Sequence, residues 1–125
     1  MRADVLLAQV VRDHAQRLHV LDRRDDLIVS GGENVYPAEV ESVLLSHPGV
    51  AEAAVYGVAD ARWGSVPAAA VVVRAGEATS PAELIEWCRA RVARYKAPSR
   101  VVLVDELPRN AAGKLQRRLL RDAGD

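Results

Sequence analysis

At 125 residues the chain has room for one domain with a modest core, and with half of its residues apolar it is expected to fold rather than stay disordered. Seventeen basic and seventeen acidic side chains cancel, which leaves no long-range field to draw the protein to nucleic acid or to an anionic lipid surface. Cys88 is the single cysteine, so an internal disulfide and a Cys-rich zinc site are excluded and a reducing compartment is expected.

In chain order, residues 4–15 ("DVLLAQVVRDHA") place Val5, Leu6, Val10 and Val11 near helical spacing. Asp4 stands where a signal peptide would carry positive charge, and no apolar run approaches the roughly 20 residues of a spanning helix. The expectation is a soluble, cytoplasmic protein. Two short apolar runs, 18–21 and 27–29, flank the charged "DRRDD" and predict a small β-hairpin, followed by a Ser-Gly-Gly loop. Pro37 opens a short amphipathic helix with Val40, Val43 and Leu44 on one face, stopped at His47-Pro48-Gly49. "VAEAAVYGV" and "VPAAAVVVR", separated by "ADARWGS", predict two neighbouring strands buried on both faces. Ser80-Pro81-Ala82-Glu83 supplies a cap, a proline at the first helical position and a glutamate at the third, so a second helix starts there with Leu84, Ile85, Cys88 and Val92 as its buried stripe. "RVVLVDEL" predicts a third strand and "GKLQRRLLRDA" a terminal helix carrying Leu115, Leu119 and Leu120. The order predicts an α+β fold, a small β-sheet flanked by helices with an N-terminal β-hairpin.

Several short stretches carry candidate chemistry. In "SGGENVYP" the paired glycines either make a turn or let the backbone approach a ligand closely with its N–H groups facing an anion. The spacing is neither a phosphate-loop nor a dinucleotide fingerprint. Trp63 in "ARWGS" is either a packing residue or an aromatic face for a base. The basic tail "KLQRRLLR" reads as the solvated face of a helix, with Arg117, Arg118 and Arg121 on the polar side of the leucine stripe. Only two lysines stand against fifteen arginines, and one of them, Lys114, follows a glycine in "LPRNAAGK".

Taken together, "DRRDDLIVSGGENVYPAEVE", "HPGVAEAAVYGVADARWG" and "YKAPSRVVLVDELPRNAAGKLQRR" resemble, in order and at matching separations, the C-terminal domain of the adenylate-forming acyl-CoA synthetase superfamily. The resemblance covers residues 18–121, and within the superfamily "SGGENVYPAEVE", "ARWGSVPAAAVVV" and "YKAP" are most similar to o-succinylbenzoate:CoA ligases of menaquinone synthesis, with medium-chain and aryl acyl-CoA ligases close behind.

The resemblance implies a reaction in two halves. ATP activates a carboxylic acid to an acyl-adenylate, and CoA then takes the acyl group as a thioester. It implies that Lys114 is catalytic in the first half, where a compact ammonium bridges carboxylate and phosphate oxygens. By the same resemblance Arg23 binds the nucleotide ribose and Asp25 is the hinge about which the domain swings. Ser30, Gly31 and Gly32 line the CoA pantetheine tunnel, and Trp63 stacks on the CoA adenine. Residues 1–17 are a leader unlike the family, and 18–125 are the mobile C-terminal domain. ATP with Mg2+, the acyl pocket and the phosphate loop belong to a large N-terminal adenylation domain, which is the implied partner; no metal site and no nucleic-acid or membrane partner is expected in this chain. Positions that in some relatives hold basic contacts to the CoA nucleotide are Ala97 and Ser99 here, with Lys96 and Arg100 as substitutes. The competing class is a stand-alone CoA-binding or interaction module without catalysis.

Overall fold

The computed structural model describes residues 26–123. The expected helix over 4–15, the first hairpin run at 18–21, Arg23 and Asp25 lie outside the described residues. The elements are β1 (Ile28–Ser30), β2 (Glu33–Val35), α1 (Pro37–Leu45), β3 (Val50–Asp60), β4 (Gly64–Val73), α2 (Pro81–Arg89), a one-turn 3-10 helix (Arg94–Lys96), β5 (Arg100–Leu103) and α3 (Arg117–Ala123).

The long β3–β4 hairpin is the frame. Its antiparallel register runs from Val50 opposite Val73 to Asp60 opposite Gly64, with one irregularity between Val50 and Glu52. β1 and β5 both lie along the other side of β4: β1 meets it antiparallel at Ser30 and Gly64, and β5 runs parallel to residues 68–71. A parallel neighbour requires a crossover, and α2 supplies it between β4 and β5. β2 completes the sheet beside β1.

Residues 67–71 of β4 are all buried, as their continuous apolar run predicts for a strand covered on both faces. Alternation then sends Ala69 and Val71 to one core and Ala68 and Ala70 to the other. The first core holds Val40 and Leu44 from α1 and Leu84 and Cys88 from α2. The second holds Tyr56 and Leu107, with Leu115 and Leu120 packed against it. Leu44 and Leu84 are fully buried, each contributing about 1.5–3 kcal/mol of apolar transfer. Cys88 is a core residue as well. Burial pushes its thiol up to about 11, against a smaller opposing influence of Arg91, so it is a poor nucleophile.

α2 starts as its sequence directs. Ser80 Oγ accepts the Glu83 N–H at 3.1 Å and Pro81 occupies the first turn. The Glu83 carboxylate, however, turns to the buried His47, whose Nε2 lies 2.8 Å from Oε2 while its Nδ1 accepts the Gly49 N–H at 2.9 Å. With Nδ1 accepting, the ring's proton sits on Nε2 and is donated to Glu83, so this His–Glu contact ties the end of α1 to the start of α2.

Two elements differ in detail from expectation. The Ser-Gly-Gly stretch, expected as a loop after the first hairpin, makes a hairpin of its own: Ile28, Val29 and Ser30 pair with Val35, Asn34 and Glu33, so Gly31-Gly32 is a two-residue turn. Both glycines have positive φ, 58° and 85°, the conformation a tight twisted hairpin demands and residues with a Cβ resist. The terminal helix also starts later, at Arg117, because Leu115 is held in a bridge opposite Arg109. Leu119 points to solvent, 42% exposed, while Leu115 and Leu120 face the second core. The tail's arginines divide accordingly: Arg118 is exposed, whereas Arg117 is drawn into ion pairs with Glu41 and Asp26.

Candidate functional site

Lys114 ends a turn that is more closely tied than its small residues suggest. Arg109 and Leu115 form an antiparallel bridge across it, and Gln116 N–H donates to Pro108 O at 2.9 Å. Inside, Asn110 and Lys114 exchange a backbone bond of 2.9 Å, and Gly113 N–H returns to Asn110 O at 2.9 Å. The Asn110 side chain finishes the turn, its Oδ1 accepting the N–H groups of Ala112 and Lys114 at 2.9 and 3.0 Å. Gly113, at φ +85°, supplies the left-handed residue such a turn requires. Arg109 pins it from outside, donating to Gly113 O at 3.1 Å and to Glu52 Oε1 on β3 at 3.0 Å. The Lys114 side chain itself is exposed and has no hydrogen bond or ion pair among the described residues. An unpaired ammonium on a fixed turn is preorganised to meet oxyanions brought by another molecule or domain.

A second site lies at the other end of the hairpin. The structure places Ser30, Gly31 and Trp63 on one cavity wall, with Gly32 beside them in the turn but off that wall. Gly31 N–H donates to Trp63 O at 2.9 Å, and a Cβ on Gly31 would stand 2.8 Å from Trp63 Cε3, so only glycine lets the indole lie against this turn. Asp60 Oδ1 accepts the N–H groups of Arg62 and Trp63 at 2.8 and 2.9 Å, which fixes the β3–β4 turn from which Trp63 projects. The indole remains 47% exposed, with the Arg62 guanidinium 4.7 Å from its ring centroid. A cavity of about 480 Å³ opens here, walled by Ser30, Gly31, Trp63, Arg89, Arg94 and Tyr95 among others. Exposed aromatic faces beside guanidinium groups suit a planar base carrying phosphate.

Lys96 and Arg100 do not line this cavity. Lys96 Nζ is held by both Glu39 carboxylate oxygens at 3.0 and 3.1 Å, and Arg100 on β5 is outside the cavity wall. Its basic lining residues are Arg89 and Arg94, Arg89 also pairing with Glu86 at 2.9 Å. In the run "CRARVARYK" nothing local separates these two from Arg91, which stacks on Trp87 at 3.3 Å. Only the fold sorts the three.

Glu52, which anchors the lysine turn, and Asp60, which anchors the tryptophan turn, are eight residues apart on β3, roughly 26 Å at strand rise. Lys114 and the cavity therefore occupy separate ends of the domain. Among the described residues, no group of three or more His, Cys, Asp or Glu side chains is placed to hold a metal ion, and no helix is long and apolar enough to cross a membrane.

Residues 39–114 match the family model described as the AMP-binding enzyme C-terminal domain, a span that includes most of α1, the whole β3–β4 hairpin and the lysine turn. The chain belongs to this family. The AMP-binding C-terminal domain seen here is 62% identical over 104 residues to a 2-succinylbenzoate--CoA ligase of Geobacillus kaustophilus, covering 83% of this chain and 21% of that protein. It superposes on the o-succinylbenzoate CoA synthetase (MenE) of Bacillus subtilis, solved with the acyl-adenylate intermediate OSB-AMP, with a TM-score of 0.76 at 57% identity, covering 82% of this chain and 21% of the other. ATP-bound MatB from Rhodopseudomonas palustris gives a TM-score of 0.78 at 40% identity, with 81% and 20% covered. The chain thus spans about a fifth of the length of the relatives it matches.

Proposed function

We propose that this chain is the mobile C-terminal domain of an acid:CoA ligase that first makes an acyl-adenylate from ATP and a carboxylic acid and then transfers the acyl group to CoA. The observation that carries the reading is Lys114: an exposed ammonium without a partner among the described residues, at the end of a turn closed by a backbone bridge and by Asn110. In the first half-reaction it contributes positive charge where negative charge moves from the acyl carboxylate to the phosphate oxygens. In the second, the domain turns about Asp25 and presents the other end of the hairpin. Ser30, Gly31 and Gly32 then leave room for the pantetheine arm, Trp63 takes the adenine face, and Arg89 and Arg94 face its phosphates. Arg23 meets the nucleotide ribose. The acid is 2-succinylbenzoate, by analogy with the relatives at 56–62% identity that act on it by name. ATP, Mg2+ and the acid are held by a large N-terminal domain, the necessary partner.

This reading is tested by joining the chain to the large domain of the Bacillus subtilis relative and measuring 2-succinylbenzoyl-CoA formation. The joined protein is expected to turn over, and this chain alone to show no ATP–pyrophosphate exchange, because Lys114 is one wall of a site completed elsewhere. Exchange by the isolated chain, or an inactive but folded chimera, would contradict it.

A further inference from the structure

Arg117 stands three residues after Lys114, at the first position of α3, with only 14% of its side chain exposed. Its Nη2 donates to both carboxylate oxygens of Glu41, at 2.8 and 2.7 Å, and its Nε reaches Glu41 Oε2 at 3.1 Å. Nη1 donates to Asp26 Oδ2 at 3.1 Å, and Arg121, one turn further along α3, lies 3.7 Å from Asp26 Oδ1. Glu41 and Asp26 are each 13% exposed. Charges so far out of water hold one another in a definite geometry, because a guanidinium fork fixes orientation as well as distance.

Glu41 has a further bond. Its Oε2 accepts the Val55 N–H at 2.8 Å. Among the described residues β3 pairs with β4 alone, so this carboxylate satisfies one donor on the sheet's outer edge. α1 lies against one face of the sheet and Leu120 of α3 against the other, and the Arg117–Glu41 pair joins the two helices around that edge. The lysine turn closes at the Arg109–Leu115 bridge and the Gln116–Pro108 bond, directly before Arg117. The turn is thus held from β3 through Arg109 and Glu52 and is continuous with the start of α3.

We infer that Arg117, gripped by Glu41 and Asp26, is a positioning residue for Lys114: the three side chains lock the lysine turn to the segment beginning just after Asp25, so that rotation about Asp25 carries Lys114 as part of one rigid body. This rests on the roles proposed above for Lys114 and Asp25. Buried ion pairs are weak contributors to stability and are better suited to specifying a single arrangement, which is what delivering a charge across a domain swing requires.

The test uses Glu41→Gln and Arg117→Lys in the joined ligase, neither of which touches Lys114. Adenylation is expected to fall about tenfold, the scale for a reacting group misplaced by a fraction of an ångström, while thioester formation from supplied acyl-adenylate stays within about twofold. Both half-reactions falling together, or neither changing, would overturn the inference. Amide hydrogen exchange on the same variants supplies a readout independent of catalysis: residues 108–118 should exchange faster while β4 keeps its protection. Unchanged exchange at 108–118 would remove the clamp whatever the activities show. Should Lys114→Ala itself leave adenylation intact, the functional reading fails, and hydrogen exchange alone decides whether Arg117 holds the turn.

Discussion

Gly31 and Gly32 are neighbours with different constraints, and the difference gives a test of the cavity. Both have positive φ, so alanine at either is expected to cost about 1–2 kcal/mol of stability, read by urea denaturation. Only at Gly31 does a new Cβ meet the indole of Trp63, whereas nothing lies within 4 Å at Gly32. Gly31→Ala is expected to shift Trp63 fluorescence and Gly32→Ala to leave it unchanged; equal spectra would mean that the glycine turn does not position the indole. Residue roles were unevenly legible in the sequence. The glycines and Trp63 stand out through a motif, and the fold sets Gly31 against Trp63 while Gly32 stays clear of it. That Arg89 and Arg94 line the cavity is not legible, because a basic run after a helix looks alike at every position until packing assigns Arg91 to Trp87 and Lys96 to Glu39.

At the scale of elements, α1, α2 and the three strands after α1 were readable because their signals are local: proline at a first turn, Ser80 as a cap, continuous apolar runs for strands covered twice. The Ser80 cap makes one of the few orphan donors of α2 whole, so Ser80→Ala is expected to lower unfolding free energy by about 1 kcal/mol without altering adenylation. Unchanged stability in urea would mean that the Glu83–His47 contact alone holds the start of α2. The N-terminal hairpin and α3 were less legible. The Ser-Gly-Gly stretch reads as a loop in sequence, and the positive φ at Gly31 and Gly32 makes it a tight hairpin turn instead. α3 was over-extended because leucine spacing is blind to the Arg109–Leu115 bridge, and Arg117 was assigned to solvent because its partners, Glu41 and Asp26, are 76 and 91 residues away.

For the whole molecule, the arrangement is two sites at separate ends of one rigid hairpin. Lys114 is anchored beside Glu52, and the Trp63 cavity is built at the Asp60–Gly64 turn. Under the proposed function each end serves one half-reaction, and the separation lets each be complete without disturbing the other. The family resemblance was visible in the order of motifs, but the distance between their chemistries was not. It depends on how many residues of β3 lie between two turns. The most direct measurement follows the two half-reactions separately in the joined ligase carrying Lys114→Ala. Acyl-adenylate formation is expected to slow by about 10² or more, the scale for losing one preorganised charge at a transition state, while conversion of a supplied acyl-adenylate to the CoA thioester proceeds at the unmodified rate. Equal losses in both steps, or an undiminished first step, would contradict the assignment of Lys114 to adenylation and of the other end of the domain to CoA.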